Sequence, residues 1–403
     1  MGQQVASAPS TPGGWRLPLA CCGVALVLLL PLHCWSVASN PWFSAPPKPA
    51  GDGPDYENLA FHLASGAGFT LDNTNPQWRA PYVDFQLASG QSEAYAAHLT
   101  QPRQLVATGR PPLFPLLVAG VYRVLGRGEL GFAAVRLLLA SCLALSGALA
   151  VFLAAALLST WPSRGPQLVA AAATLFFAAT NRTLRTYATD FLTEPLALLL
   201  MQLFVLVVLY LCGVWGRLHQ QASPAQPNWH QPSADATNAA AIARYGVSWV
   251  AIVAGLLWGA LVLARSMFVL WLPAIWLLVA LTLPASKWLR FRTATVVVGT
   301  ACLVCLPWWW RNVAVLERWM PLGTQGPITL LGGYSDAGLQ SNGEWQFAPE
   351  QHLRRELTHV PEFQALASDT QREVWVARAA RVRVRTWLGE HWRDLPWMAA
   401  KRI

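Results

Sequence analysis

The sequence predicts an all-α polytopic membrane protein, and three observations predict it. Of its 403 residues, 54% are hydrophobic and only 12% are charged, about half the charged share of a soluble globular chain. The apolar residues gather in blocks close to the length of a bilayer span. Trp, which favours the boundary between water and lipid, occurs 21 times. The expected architecture is a bundle of about seven transmembrane helices, with amphipathic surface helices in a large first outer loop.

The first apolar block covers residues 17–35 and follows Arg16. Small residues at 36–39 would suit cleavage of a signal peptide, but the block is also long enough to span, and an uncleaved span fits a chain that is apolar beyond it. A polar outer loop follows over 37–110. Within it, residues 54–65 read as a short helix: Pro54 suits a first turn, and Tyr56, Leu59, Ala60, Leu63 and Ala64 share one face. Gly66 and Gly68 end it, and such a helix beside a span would lie on the membrane surface. Residues 111–125 are apolar but short, so they are expected to be re-entrant or interfacial. Further spans are expected at 134–158, 168–180, 196–214, 247–264, 267–283 and 293–309. The stretch 216–246 is rich in Gln, Ala, Ser, Pro and Asn and reads as a cytoplasmic linker. Residues 1–311 then form a transmembrane domain. Residues 312–403 form a polar outer extension, expected to be helical over 349–392.

Placing the N-terminus inside puts Arg164, Arg217, Arg244, Lys287, Arg290 and Arg292 in cytoplasmic loops, as the positive-inside rule asks. Of the 20 acids, only Asp235 then falls inside. Carboxylate chemistry is therefore expected on the non-cytoplasmic face of a cell (inner or plasma) membrane. The net charge of +9 suits anionic headgroups or phosphate ligands. No basic run with interleaved aromatics argues for nucleic acid. The seven Cys all lie in or beside apolar blocks, and the Cys302–Cys305 pair has no accompanying His or second pair to form a metal site.

Two acidic clusters stand at the outer rim. Asp52 and Asp55, with Glu57 beyond them, open the surface helix, where a carboxylate in a half-dry pocket can take a proton from a hydroxyl. Acids at a helix N-terminus are also ordinary partners of its dipole. Asp190 and Glu194 precede a span and would share a face if one helix held both, with Thr193 as its cap and Pro195 in its first turn. Arg110, Arg265 and Arg311 lie at the same rim. Arginine binds phosphate bidentately, although at a span end it also anchors to headgroups. His62 shares the helix with Asp55 and Asn58, a thin basis for a divalent metal ion.

Several segments, taken in order, resemble a known family. They are Asp55-Tyr56 with Leu63 to Phe69, Arg110-Pro111-Pro112, Thr193-Glu194-Pro195-Leu196, Leu263-Ala264-Arg265, Pro307 to Asn312, Pro321 to Thr324, and Gly332-Gly333. The chain resembles the polyprenyl-phosphate-dependent glycosyltransferases of the GT-C fold, the group that includes protein O-mannosyltransferases and the lipid A aminoarabinose transferase. The resemblance implies a catalytic Asp in the first outer loop, at Asp55 with Asp52 as its neighbour, and a second acid at Glu194. It implies a polyprenyl-phosphate-linked sugar as donor, held by arginines among membrane lipids. The absence of a Gly-rich nucleotide fingerprint fits a lipid-linked donor. The sugar and the acceptor (a lipid, glycan or protein hydroxyl) stay open. The rival readings are a transporter or flippase of a lipid-linked substrate, which would need ionisable residues inside the spans, a polysaccharide polymerase or ligase, and a catalytically inactive family member.

Overall fold

The computed structural model describes residues 16–49, 51–90, 102–159, 161, 163–212 and 247–401. The linker expected at 216–246 lies outside the described residues. Along the chain run α1 (Arg16–Ala38), α2 (Gly53–Ala64), β1 (Thr70–Asp72), α3 (Pro76–Ala88), β2 (Gln104–Val106), α4 (Leu113–Leu125), α5 (Glu129–Leu157), α6 (Gly165–Thr180), α7 (Arg182–Thr189) and α8 (Glu194–Leu211). Then come α9 (Val247–Ala264), a 3-10 segment (Ser266–Trp271), α10 (Leu272–Thr282), α11 (Lys287–Leu316), α12 (Gln325–Gly333), α13 (Asp336–Gln340), α14 (Ala348–Leu357), α15 (Pro361–Gln364), α16 (Asp369–Glu390) and α17 (Leu395–Lys401).

The protein is helical, and four of these helices, α1, α5, α8 and α11, are long and apolar enough to cross a membrane. They mark it as a membrane protein. Shorter apolar stretches are α4, α6, Trp249–Ala264 of α9, and the 3-10 segment with α10. Length keeps the 16-residue α6 out of the four, because hydropathy alone registers it as strongly as a full span.

The described residues fall into two compact units. One joins the chain up to Ser44 with Phe132–Val304. Its helices meet through small residues. Ala25 and Leu29 of α1 pack on Ala144, Ala148, Val151 and Ala155 of α5 and on Ala171 and Ala178 of α6. A Cβ at Gly255 of α9 would lie 2.5 Å from the Thr300 Cβ, and one at Gly259 would lie 2.7 Å from the Val304 Cβ. Only hydrogen at these two positions, one helical turn apart, lets α9 approach α11 so closely, which is how helices associate without a hydrophobic drive between them. Large apolar side chains such as Val27, Phe176 and Leu303 remain exposed, the surface that lipid covers.

The second unit joins Ala45–Gly131 with Cys305–Ile403. The first polar loop thus folds with the C-terminal extension, whereas the sequence groups it with the spans. Helix α2 starts at Gly53, has Pro54 in its first turn and ends before Gly66 at φ +83°. It lies on α4, with the Tyr56 and Phe114 rings edge to face at 5.3 Å. The loop is more ordered than its composition suggests. Asn75 caps α3 by accepting from the Gln77 and Trp78 amides. Strands β1 and β2 pair antiparallel, with Thr70 opposite Val106. The β2 edge continues onto α16: the Gln104 amide donates to Asp369 Oδ2 and the Val106 amide to Thr370 Oγ1.

The extension is helical over most of 349–392, as expected, in three separate helices. Pro361 starts α15 with a break behind it, and Ser368 caps a new helix by accepting from the Gln371 amide. Val376, Ala380 and Val384 of α16 form a core with Ile328 and Leu331 of α12 and with Leu353 and Leu357 of α14.

Candidate functional site

In the second unit, five segments that lie far apart in sequence meet around the start of α2. The Arg110 guanidinium donates through Nη2 to Asp52 Oδ1 at 2.7 Å and to Asp55 Oδ2 at 2.9 Å, and through Nε to Asp55 Oδ2 at 3.3 Å. It also lies 5.4 Å from the centre of the Tyr56 ring. Arg103 Nη1 stands 3.7 Å from Asp55 Oδ1. The Asp52 side chain is half exposed, and those of Asp55 and Arg110 are 23% and 16% exposed. Water and a ligand can therefore reach the cluster from one side. Burial would lower the Arg110 pKa, but the Asp55 and Asp52 carboxylates outweigh it and hold the pKa above its ordinary value. No hydrogen bond is made by Arg110 Nη1 among the described residues.

Beside this cluster, Arg311 donates through Nη1 to the Ala107 carbonyl at 2.6 Å and through Nη2 to the Phe69 carbonyl at 3.1 Å. Its guanidinium lies 4.7 Å from the Trp308 ring centre, and Phe69 meets Trp308 edge to face at 4.8 Å. The fully buried Asn312 donates to the Pro321 carbonyl. That brings Gly323 against Thr108, where a Cβ would lie 1.9 Å from the Thr108 carbonyl oxygen; the backbone there is also at φ +76°. Glycine is required at this position on both counts.

In the first unit, Glu194 opens α8 and Arg265 follows the last residue of α9. The two helices pack against each other, and Arg265 Nη1 meets Glu194 Oε1 at 2.5 Å, with both side chains about one-third to one-quarter exposed. Asp190 and Glu194 do not share a helix. Asp190 ends α7, Phe191 sits in the left-handed region at φ 57°, and α8 begins only at Glu194. The buried Phe191 ring reverses the chain between the two acids, so helical spacing does not apply to them. Thr193 precedes α8 without a capping hydrogen bond from its side chain.

Arg136 supports this turn. It is fully buried near the start of α5, donates to the Thr189 and Phe43 carbonyls at 2.9 and 3.0 Å, and lies over the Phe191 ring at 4.8 Å. Sequence reasoning passed over it. Its signal was a lone arginine inside an otherwise apolar block.

Glu57, the acid beyond Asp52 and Asp55 in the first cluster, lies in the interior of its unit. It is 0% exposed and accepts from Trp78 Nε1 at 2.5 Å, Tyr82 OH and Tyr122 OH at 3.2 Å each, and Arg127 through Nε at 2.6 Å and Nη2 at 3.2 Å. Arg127 also donates to the Gln77 and Trp78 carbonyls. Burial alone would lower the Arg127 pKa; Glu57 reverses that and raises it. Burial, and then the nearby Glu57 charge, push the Tyr82 pKa well above its ordinary value. A Trp and two Tyr within about 70 residues downstream were the available signal, but nothing local ties them to Glu57.

His62 is buried rather than facing a rim pocket. Its Nδ1 contacts the Asn58 carbonyl, and its Nε2 has no hydrogen-bond partner among the described residues. Asn58 turns to the strand instead, exchanging two hydrogen bonds with the Asp72 main chain. Among the described residues no three of His, Cys, Asp and Glu gather. The two carboxylates beside α2 face guanidinium groups. These residues do not fit a divalent ion, whose ligands must be left free of competing cations.

Comparison with protein-family models, with curated proteins and with solved structures finds no match for this chain.

Proposed function

We propose that the protein is a membrane glycosyltransferase that moves a sugar from a polyprenyl-phosphate donor to a hydroxyl acceptor on the non-cytoplasmic face. The observation that carries this reading is the half-exposed Asp52–Arg110–Asp55 cluster at the start of α2. Around it, the segments ending in Phe69, Arg110, Arg311 and Gly323 are tied by hydrogen bonds and close packing. These are segments on which the family resemblance rests.

In the proposed reaction, an oxygen of Asp55 takes the proton of the acceptor hydroxyl. The freed oxygen attacks the anomeric carbon of the sugar. The bond from that carbon to the phosphate oxygen breaks, and its electron pair leaves with the lipid phosphate. The charge that grows on the phosphate is met by guanidinium groups. Arg110 has its Nη1 group available for this. Arg265 is the arginine paired to the second acid, Glu194. Arg311 is held by main-chain carbonyls and braces the loops that carry Phe69 and Ala107.

The buried Arg136 is the one observation that favours a transporter or flippase, since such proteins place charge inside their spans. Its donors, however, lie on two main-chain carbonyls, one at the end of α7 and one in the turn after α1, an assignment that suits a brace. The purified protein, given radiolabelled polyprenyl-phosphate sugars and a membrane extract, should transfer label to an acceptor and release polyprenyl phosphate. Movement of intact donor across a vesicle membrane without release of phosphate would replace this reading with the flippase.

A further inference from the structure

The second half of α16 carries three arginines that make no ion pair among the described residues. Residues 374–389 contain four arginines and no acid. Arg383 pairs with Glu356. Arg378, Arg381 and Arg385 are exposed and make no ion pair among the described residues. At 3.6 residues per turn these three share one stripe with Val382 and Gly389, roughly 16 Å long. Val382 is 65% exposed. The opposite face is fixed: Val376, Ala380 and Val384 lie in the core, and Trp387 Nε1 donates to Asp336. The stripe therefore cannot turn inward.

Just beyond the helix, the aromatic residues repeat the pattern. Trp392 is 61% exposed with Arg393 over its ring at 5.3 Å, and Trp397 is 46% exposed with Lys401 over its ring at 5.6 Å. Exposed Trp beside cationic side chains is the chemistry of the lipid headgroup layer, where the ring sits among glycerol and carbonyl groups and the cation meets phosphate. This segment is also tethered close to a bilayer, because the unit that contains it is continuous with α11, one of the four helices long enough to cross a membrane. Tethering raises the local concentration of lipid surface, so weak contacts suffice.

We propose that the stripe Arg378–Arg381–Arg385, with Trp392 and Trp397, docks the C-terminal helices on an anionic phospholipid surface. Charge complementarity selects this occupant: three guanidinium groups with no ion pair among the described residues, on a fixed face, followed by two exposed Trp. The docking does not depend on the proposed reaction, so failure of one leaves the other standing.

The test uses the full chain carrying a single cysteine, Val382→Cys, in a cysteine-free background, labelled with an environment-sensitive nitrobenzoxadiazole dye. The labelled protein is reconstituted into vesicles of phosphatidylcholine alone or with phosphatidylglycerol. The dye emission should shift to the blue, and a spin-labelled lipid should quench it, only when phosphatidylglycerol is present. High salt should reverse both. Each arginine near an anionic surface strengthens attachment about fivefold, so Arg378→Gln, Arg381→Gln and Arg385→Gln together should weaken docking about 10²-fold. Trp392→Ala should reduce the lipid quenching while leaving the salt dependence intact. Emission and quenching that are the same in both lipids would overturn the proposal. So would a blue shift produced by an added soluble acidic polypeptide in phosphatidylcholine vesicles but not by phosphatidylglycerol, which would assign the stripe to an acidic protein partner.

Discussion

Asp55 and Glu57 stand two residues apart on one short helix and have opposite surroundings. Asp55 is partly exposed and shares Arg110 with Asp52, leaving room for a ligand. Glu57 is sealed from solvent, with Arg127, Trp78, Tyr82 and Tyr122 all donating to its two oxygens. A step of two residues rotates about 200° around a helix, so the two side chains leave on opposite sides. One carboxylate is open to solvent beside a shared arginine, and the other is enclosed and ties the helix to its neighbours. Net charge and residue type do not distinguish them; the number of donors and the access of water do.

The largest effect that would sharpen this contrast is expected from Asp55→Asn. It keeps the shape and removes the base, so turnover in the transfer assay should fall roughly 10²–10⁴-fold with the folded protein intact. Full activity in this variant would move the base to Asp52 or to the other acidic cluster at Asp190 and Glu194.

Glu57→Gln should act in the other direction, on folding first. It leaves the buried Arg127 without a counter-charge, a change that typically costs about 3–5 kcal/mol. Thermal unfolding in detergent should show this loss, and a protein of unchanged stability would break the comparison. Trp78→Phe removes one donor to a charged acceptor and should cost about 1.5–3 kcal/mol in the same assay.

The smallest effect concerns alkaline pH. The folded Tyr82 has a pKa above the ordinary tyrosine value, so it binds its proton more tightly folded than unfolded. The stability this contributes is complete below about pH 10 and is lost as pH rises from there through the raised value. Alkaline unfolding should be shallower in Tyr82→Phe than in the parent; equal slopes would place the raised pKa outside the stability balance.

The sequence disclosed these features unevenly. Apolar blocks marked all four long helices, because a span needs length and composition and both can be read locally. The start of α2 beside Pro54 and its end before Gly66 were legible for the same reason. The β1–β2 pair was not: each strand has three residues, and the partners Thr70 and Val106 are separated by the whole of α3. The pairing of Arg110 with Asp55 spans 55 residues and that of Arg265 with Glu194 joins two helix ends, so no local spacing encodes either. The reading of Asp190 and Glu194 as neighbours on one helix failed at Phe191, whose left-handed backbone is uncommon for an aromatic residue and is held by Arg136. The sequence groups Glu57 with Asp52 and Asp55 but shows nothing of its burial, because the donors that enclose it lie 21 to 70 residues away.

The bracing of Phe69 and Ala107 by Arg311 also sets an order of manufacture. Ala107 and Arg311 are separated by 204 positions, and a ribosome adds about 5–20 residues per second. The segment around Phe69 and Ala107 therefore waits roughly 10–40 s for the side chain that ties down two of its carbonyls. During that interval the intervening spans are being made, and the segment is a nascent piece open to proteases and chaperones in whatever compartment receives it. A chain arrested before Arg311 should leave the segment around Phe69 and Ala107 open to limited proteolysis, and release of the arrest should close it.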